Sequence, residues 1–319
     1  MKRYMLTCAI LLGAVTGGLA ASGYRLLKTI PVGGQGSWDY LSIDETNRRL
    51  YVSHETKVDV LDLDSANVIG KIPNTLGVHG IAIAPELGRG FTSNGKTDTV
   101  TIFDLKTLMP IAQVSTGKKP DAIVYDPITS RVFVMNGVGN SATAIDAATG
   151  KVAGTIDLGA GPEFAAADSL GNVFVNLEDK NVVLRIDSRG LRIADRWPLA
   201  PCEHPSSMAI DRANHRLFIG CRSHVMAVVN AETGKVITTL PIGDHVDASA
   251  FDPATGLIFN STGEGAVDVF HQDSPNEYSF VARIPTHPGS KTMALDSKTH
   301  QIFVPANDSG SFGILVFGR

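Results

Sequence analysis

The chain has 319 residues, of which 43% are hydrophobic and 19% charged, and its formal net charge is −4. A globular chain of this length can bury a large core as one big domain or as two ordinary ones. The acidic balance disfavours nucleic acid as a partner, because most affinity for phosphate comes from Lys and Arg.

The first residues have the features of a secretory signal peptide. Lys2 and Arg3 precede the apolar run YMLTCAILLGAVTGG, and the small residues of LAAS follow it. An uncleaved membrane anchor is the alternative, but the run is short for a bilayer, whose core needs about 20 apolar residues. We therefore predict a signal peptide over residues 1–21, a periplasmic or secreted protein, and no membrane span after cleavage. Removal of the two basic residues would leave 26 basic against 32 acidic residues, a net charge of −6.

Two cysteines remain after the predicted cleavage. Cys202 precedes a predicted strand and Cys221 ends the next one, so a hairpin turning near Asn214 would bring them to the same end. An oxidising compartment allows such a pair to persist as a disulfide. We predict a disulfide between Cys202 and Cys221, and a metal-binding or catalytic role for the pair is the alternative.

One sequence pattern recurs seven times from residue 44 onward. Each copy starts at a marker position and carries an aromatic residue seven positions later, or six in the fourth copy, and the markers are 40 to 44 residues apart. The markers are Asp44, Ala84, Asp126, Asp168, Asp211, Asp252 and Asp296. The aromatic residues are Tyr51, Phe91, Phe133, Phe174, Phe218, Phe259 and Phe303. The constant spacing indicates a structural repeat, and we expect the aromatic side chains to pack between neighbouring units.

Each unit contains the patterns of four short strands. In the third unit these are AIVYD, RVFVMN, ATAIDA and KVAGTI, separated by turns that contain Asp or Gly. Four-stranded units of about 40 to 45 residues are typical of β-propeller blades. The last unit lacks a fourth strand, whereas YRLLKTIPVG at residues 24–33 matches the fourth-strand pattern. We therefore predict an all-β, seven-bladed β-propeller over residues 22–319, a single domain closed by the N-terminal strand pairing into the last blade.

The repeat D-P-x-T-x-R-x-F-V-x-N followed by I-D-x-x-T-G-K-V resembles that of the YVTN-repeat, or YncE-like, seven-bladed propellers. The resemblance covers residues 24–319. It implies the fold and leaves the activity open, because the repeat consists of turn and packing residues. The family includes members called DNA-binding, and its relatives include lactonases, lyases and metalloenzymes.

A ring of polar residues precedes the markers. The first strand of a propeller blade lines the central channel, so equivalent positions in the loops that enter these strands meet at one rim. Five residues before each marker stand Asp39, His79, Asp121, Glu163, Ser206, Asp247 and Lys291. The same loops add Trp38, Lys119, His204 and His245. We predict that these eleven residues form a ligand-binding rim. The alternative is that they only keep the channel mouth hydrated.

Histidines of this rim could hold a metal. His79, His204 and His245, together with Asp121 or Glu163, offer nitrogen and oxygen ligands for a divalent transition metal. The three histidines belong to three different blades, so a shared ion would need their side chains to cross the channel. No other cofactor is predicted.

Three functions remain open at this point. The first is a binding or scaffold protein that receives a small molecule, a peptide or a protein at the rim, and we expect it to be a monomer. The second is a metal-dependent or acid–base enzyme of lactonase or lyase type that uses the same rim. The hydrolase, redox and zinc-protease motifs G-x-S-x-G, C-x-x-C and H-E-x-x-H are all missing from the sequence, and no catalytic residue can be assigned. The third, single-stranded nucleic-acid binding, is disfavoured by the charge.

Overall fold

The structure, a computed structural model, describes residues 23–34, 36–308 and 310–319. The predicted signal peptide lies outside the described residues. Within them, none of the helical segments has the length and hydrophobicity of a membrane span.

The described residues form seven four-stranded antiparallel sheets. The first strand in the chain is β1 (Arg25–Pro31). Blades one to three consist of β2 (Trp38–Asp44), β3 (Arg49–His54), β4 (Lys57–Asp62), β5 (Val68–Ile72), β6 (Val78–Ala84), β7 (Arg89–Asn94), β8 (Thr99–Asp104), β9 (Pro110–Ser115), β10 (Pro120–Asp126), β11 (Arg131–Asn136), β12 (Ser141–Asp146) and β13 (Val152–Asp157). Blades four to six consist of β14 (Pro162–Ala167), β15 (Asn172–Leu177), β16 (Val182–Asp187), β17 (Arg192–Pro198), β18 (Pro205–Asp211), β19 (Arg216–Cys221), β20 (Val225–Asn230), β21 (Val236–Pro241), β22 (Val246–Asp252), β23 (Leu257–Thr262), β24 (Ala266–Ser274) and β25 (Glu277–Pro285). Blade seven adds β26 (Ala294–Asp296), β27 (Gln301–Asp308) and β28 (Ser311–Gly318). Two single-turn 3-10 helices lie between strands: Pro85–Leu87 joins strands one and two of blade two, and Glu178–Lys180 joins strands two and three of blade four.

The marker residue ends the first strand of six blades and directly follows it in blade four, and the aspartate markers organise the turn that comes next. In the third blade the Asp126 carboxylate accepts hydrogen bonds from the backbone N–H of Ile128, at 3.2 Å, and from the hydroxyl of Thr129, at 2.7 Å. Asp252 and Asp296 bond their own turns in the same way. These bonds satisfy backbone donors that the tight turn would otherwise leave unpaired, which explains why the sequence repeats Asp at this position.

The repeated aromatic residues fill the space between neighbouring blades, as predicted. All seven are at most 1% exposed. Phe91 of blade two packs with Val132 and Val134 of blade three, and Phe218 of blade five packs with Ile258 of blade six. The hydrophobic core is therefore distributed around the ring, where each blade buries one face against the next.

The ring closes through the N-terminal strand, as predicted. Blade seven has the strand order β1-β28-β27-β26, with Leu26 opposite Phe317 and Ile30 opposite Ile314. The first strand of each blade contacts the first strand of the next, and β26 of blade seven contacts β2 of blade one. The closure covers edges that an open stack of blades would expose.

An ion pair joins the first and last blades beside this closure. The Arg48 guanidinium donates two hydrogen bonds to the Asp296 carboxylate, at 2.8 and 2.7 Å, and the Asp296 side chain is only 1% exposed. Burial alone would raise the pKa of Asp296, but the hydrogen bonds from Arg48 and Thr299 and the charge of Arg48 hold it below its ordinary value. The pair therefore favours the closed ring wherever Asp296 is ionised.

The predicted disulfide is present. Cys202 and Cys221 are bonded, with their Cα atoms 5.7 Å apart, and both side chains are buried. The bond links the loop before β18 to the end of β19, at the entrance of blade five.

Candidate functional site

The predicted ring residues occupy the same position in the first strands of their blades. In each of blades one to six the ring residue is the second residue of the first strand: Asp39 of β2, His79 of β6, Asp121 of β10, Glu163 of β14, Ser206 of β18 and Asp247 of β22. The pairing with strand two shifts register at this point in all six blades. Such shifts re-aim side chains, so the local backbone turns equivalent residues toward one end of the channel.

Three neighbouring blades bring one imidazole and two carboxylates into contact. Nδ1 of His79 lies 2.6 Å from Oδ2 of Asp39 and 3.7 Å from Oδ1 of Asp121. Burial lowers the pKa of His79, but the hydrogen bond to Asp39 and the charges of Asp121 and Asp39 outweigh it and raise the pKa above its ordinary value. Burial and the Asp39 charge raise the pKa of Asp121 to about 6, although the nearby His79 opposes them.

The backbone around this group is fixed by hydrogen bonds. The Ser53 hydroxyl accepts a bond from the Asp39 N–H at 3.1 Å, and Thr292 donates to the Asp39 carbonyl at 2.7 Å. Ser93 donates to the Asp121 carbonyl. The His79 ring lies over Gly95, where a Cβ would stand only 2.9 Å from Cδ2 and Nε2 of the imidazole. Glycine at this position therefore makes room for the ring.

A second group of charges occupies the opposite part of the rim. Nη1 of Arg222 lies 2.8 Å from Glu178, while Nη2 lies 3.4 Å from Glu163 and 4.0 Å from Asp247. Nζ of Lys291 lies 2.6 Å from Asp247. One guanidinium is thus shared among three carboxylates and is closest to Glu178.

Because Arg222 is shared among three carboxylates, it neutralises the charge of Glu163 only in part. Burial, followed by repulsion from Asp121, Glu178 and Asp247, raises the pKa of Glu163 to about 8, because the charge of Arg222 offsets these effects only in part. Burial also raises the pKa of Asp247, against the opposing charge of Lys291. The rim therefore holds more carboxylate than its own cations balance.

A tyrosine lies beneath the carboxylates. Tyr40 follows Asp39 in β2, and its ring is 5.5 Å from that of Phe164 of β14, so the two rings meet across the channel. They line a small cavity of about 90 Å³. Burial raises the pKa of Tyr40 well above its usual range, and the charges of Asp121, Asp39, Asp247 and Glu163 add to the effect. Four carboxylates from four blades thus act on one hydroxyl.

A recess of about 380 Å³ opens beside the first group of charges. We call it the rim recess, and the residues that line it include Trp38, Asp39, Glu55, His79, Lys96, Lys119 and Lys291. The Trp38 indole stacks on Phe312 with ring centroids 5.0 Å apart, which fixes one wall. The recess has carboxylates at Asp39 and Glu55 and three lysines along its edge.

The three remaining predicted rim residues are a buried serine at the ring position and two histidines in turns. Ser206 is buried and donates a hydrogen bond to the Val246 carbonyl at 2.6 Å, which is a structural contact between blades five and six. His204 and His245 occupy turns in the left-handed backbone region, with φ of 52° and 55°. The His245 side chain is 73% exposed and lies 3.0 Å from Asp244.

The structure does not bring the three predicted metal-binding histidines together. Among the described residues, the His, Cys, Asp and Glu side chains whose ligand atoms lie within 4.8 Å of one another are Asp39, His79 and Asp121. His204 and His245 belong to the loops that enter blades five and six, whereas the three residues of this group come from blades one to three. The predicted ligand set thus changes to one histidine with two carboxylates from adjacent blades.

Sequence reasoning missed Tyr40, Glu178 and Arg222. The repeat itself contains the signal for the last two, because in blades one to six the residue after the second strand lies at the same end of the blade as the ring. Among these six blades, the position holds glycine in blades two, three and six and a charged residue in blades one, four and five: Glu55, Glu178 and Arg222. Tyr40 could have been found as the neighbour of Asp39, but its burial under four carboxylates depends on the tertiary structure.

Comparisons with solved structures agree with this architecture. Two that match are the structure of U3-55K, at TM-score 0.79 and 10% identity over 93% of this chain and 99% of that one, and the RRP9 WD40 repeats, at TM-score 0.80 and 10% identity over 94% and 99%. Kuenenia stuttgartiensis hydrazine synthase matches with TM-score 0.73 and 15% identity over 95% and 99%. The chain is a seven-bladed β-propeller. At these identities the likeness concerns the fold alone.

Sequence comparisons are less informative. No family model matches the chain. Antigen Lp49 of Leptospira interrogans is 31% identical over 113 residues, which are 34% of this chain and 25% of that protein. The match thus spans about a quarter of the length of that curated relative.

Proposed function

We propose that the protein is an exported propeller of the YVTN-repeat, YncE-like type that binds a small anionic molecule, or an anionic group of a peptide or partner protein, in the rim recess. The observation that carries the proposal is the recess itself, a concave site lined by lysines and a fixed tryptophan beside the Asp39–His79 pair. Concave sites with a few convergent polar groups are the usual location of ligand sites.

The rim as a whole carries more carboxylates than cations, but the recess is lined by three lysines and two carboxylates, which favours an anion there. Lys96, Lys119 and Lys291 line the recess edge, and ammonium groups at such an edge can donate to carboxylate or phosphate oxygens. Lys96 is only loosely paired, 3.9 Å from Glu55. The Trp38 face adds apolar contact area at a low cost in conformational entropy. An anion that reaches the lysines from solvent would avoid the carboxylates deeper in the channel.

The export part of the proposal rests on the N-terminal sequence and the disulfide. The Cys202–Cys221 bond is of the kind that persists in oxidising compartments. N-terminal sequencing of the protein recovered from the periplasm or medium tests it: a mature terminus near residue 22 is expected, and an intact Met1 in the cytoplasm would contradict export.

Ligand binding can be tested with a defined panel of probes. Acetate, succinate, citrate, glutamate and inorganic phosphate are added to the protein in thermal-shift assays, and hits are measured by calorimetry. We expect at least one to bind with a Kd below about 1 mM, and Lys119→Met to weaken it at least about ten-fold, or about 1.4 kcal/mol. Lys151→Met is the matched control, because this exposed lysine lies on the turn before β13, at the opposite end of its blade. A panel without binders, or equal losses in both variants, would contradict the proposal.

The Asp39–His79 pair favours a second candidate, an acid–base enzyme of lactonase or lyase type. A carboxylate on Nδ1 orients the imidazole, and Asp121, with its pKa raised to about 6, provides a second group that titrates near neutrality. Hydrolysis of a panel of lactones, with a pH–rate profile that changes in His79→Gln, would support this function. No turnover above the rate of His79→Gln would exclude it for those substrates. Nucleic-acid binding is not proposed, because in the described rim the carboxylates outnumber the lysines and arginines.

A further inference from the structure

We propose that Asp39, His79 and Asp121 form a binding site for one divalent transition-metal ion at the floor of the rim recess. The inference rests on the proposed binding function of the rim and adds an inorganic ligand to it. It assigns the site to three adjacent blades of the propeller.

One of the two distances from Nδ1 of His79 is close to the value for a shared ion, and the other reaches it after a small movement of Asp39. First-row metals bind nitrogen and carboxylate oxygen at about 2.0–2.2 Å, so two ligand atoms in a tetrahedral shell lie about 3.3–3.6 Å apart. Nδ1 of His79 and Oδ1 of Asp121 are 3.7 Å apart, already close to this value. Nδ1 of His79 and Oδ2 of Asp39 are 2.6 Å apart, joined by a proton that the ion would replace. Asp39 therefore has to withdraw by about 1 Å or less.

The backbone holds these three residues in place without an ion. Hydrogen bonds to Ser53 and Thr292 fix the peptide groups of Asp39, and Ser93 fixes the carbonyl of Asp121. Because each ligand comes from the same position of consecutive first strands, the strand contacts around the channel set the spacing of the ligands. Binding would then require only small side-chain rotations, and little conformational entropy would be lost.

The formal charge of the site and its opening to the rim recess also suit a divalent metal ion. Two carboxylates and a neutral imidazole give the site a formal charge of about −2, which a divalent cation neutralises, and nitrogen with oxygen ligands suit zinc, manganese, iron or cobalt. Asp39 and His79 line the rim recess, so the side of the ion away from the channel would face the recess. Three protein ligands with an open side are typical of sites that bind a further ligand. An anion held by Lys119 and Lys291 would lie near that open side.

The site can be tested by titration with metals alone. Protein purified without a nickel column is freed of metals with a chelator and dialysed, and Zn²⁺, Mn²⁺ and Co²⁺ are titrated by calorimetry, with the absorption spectrum of Co²⁺ recorded in parallel. We expect one ion per chain, with a Kd near 1 μM or tighter for at least one metal. His79→Gln and Asp121→Asn should each weaken binding at least about ten-fold and change the Co²⁺ spectrum.

His245→Gln is the matched control, since this histidine is exposed and lies outside the group. Circular dichroism and the melting temperature of each variant show whether it is folded, and the use of two ligand variants guards against the failure of either one to fold. Absence of saturable binding to the native protein, or equal affinities in all three variants, would overturn the proposal. The titration contains no organic ligand, so its failure is distinct from a failure of the anion panel.

Discussion

Glu163→Gln is expected to change how the stability of the protein depends on pH. The pKa of Glu163 is raised from 4.5 to about 8 in the folded protein, chiefly by burial and by the neighbouring carboxylates. Between pH 4.5 and pH 8, Glu163 holds a proton in the native state that it has lost in the unfolded chain. The contribution of Glu163 to the free energy of unfolding is therefore fully present below about pH 4.5 and is lost as the pH rises through 8. The slope is about 1.4 kcal/mol per pH unit, and the loss over the whole window is about 5 kcal/mol.

Gln at this position keeps the shape and removes the titrating group. The variant should match the native protein in free energy of unfolding near pH 5 and exceed it by several kcal/mol near pH 8.5. Guanidinium unfolding at pH 5, 6, 7, 8 and 8.5, with a chelator present, measures the difference between the two profiles. Asp121 and Asp247 are present in both proteins, so the difference between the profiles reports the titration of Glu163 together with its repulsion of these two carboxylates.

Glu277→Gln is the matched control, because Glu277 is an exposed residue at the start of β25. Its profile should run parallel to that of the native protein. Parallel profiles for Glu163→Gln as well would refute the reasoning, because they would mean that Glu163 is ionised at neutral pH in the folded state and that Arg222 neutralises it.

Three further changes test the closure, the disulfide and the packing of the site. Arg48→Met removes one side of the buried ion pair that joins the first and last blades, and should lower the free energy of unfolding by about 3 kcal/mol at pH 7, measured by guanidinium unfolding; a loss below about 1 kcal/mol would contradict a role in closure. The double variant Cys202→Ser, Cys221→Ser opens a loop with a sequence separation of 19 and should lower stability by about 3 kcal/mol, whereas an unchanged melting temperature would show that the bond constrains nothing. Gly95→Ala places a methyl group 2.9 Å from the ring of His79 and should weaken Co²⁺ binding at least about ten-fold, and an unchanged Kd would contradict the placement of the ring.

The fold was predictable from sequence because its determinants are local and repeated. Asp126 and its equivalents bond their own turns, and the aromatic residue seven positions on is buried against the next blade, so both recur at a fixed spacing. Closure by residues 24–33 followed from the missing fourth strand of the last unit. The ring position was predictable for the same reason, since Asp39 and Asp247 occupy the same place in their strands.

The contacts within the site could not be read from the repeat. His204 and His245 sit two residues before the ring position in the loops that enter blades five and six, whereas His79 and its two partners come from blades one to three. The repeat aligns residues of different blades, but it does not show which of their side chains lie within ligand distance of one another. The pairing of His79 with Asp39 depends on a distance of 2.6 Å between side chains 40 residues apart, which is set by the packing of whole blades.

The most direct test of the account is anomalous diffraction from crystals grown with Mn²⁺, collected above and below the manganese edge. We predict a single strong anomalous peak at the floor of the rim recess, within about 2.0–2.3 Å of Nδ1 of His79 and of carboxylate oxygens of Asp39 and Asp121. Density in which these three side chains point to different parts of the channel, with no peak between them, would contradict the central claim that three adjacent blades build one binding site.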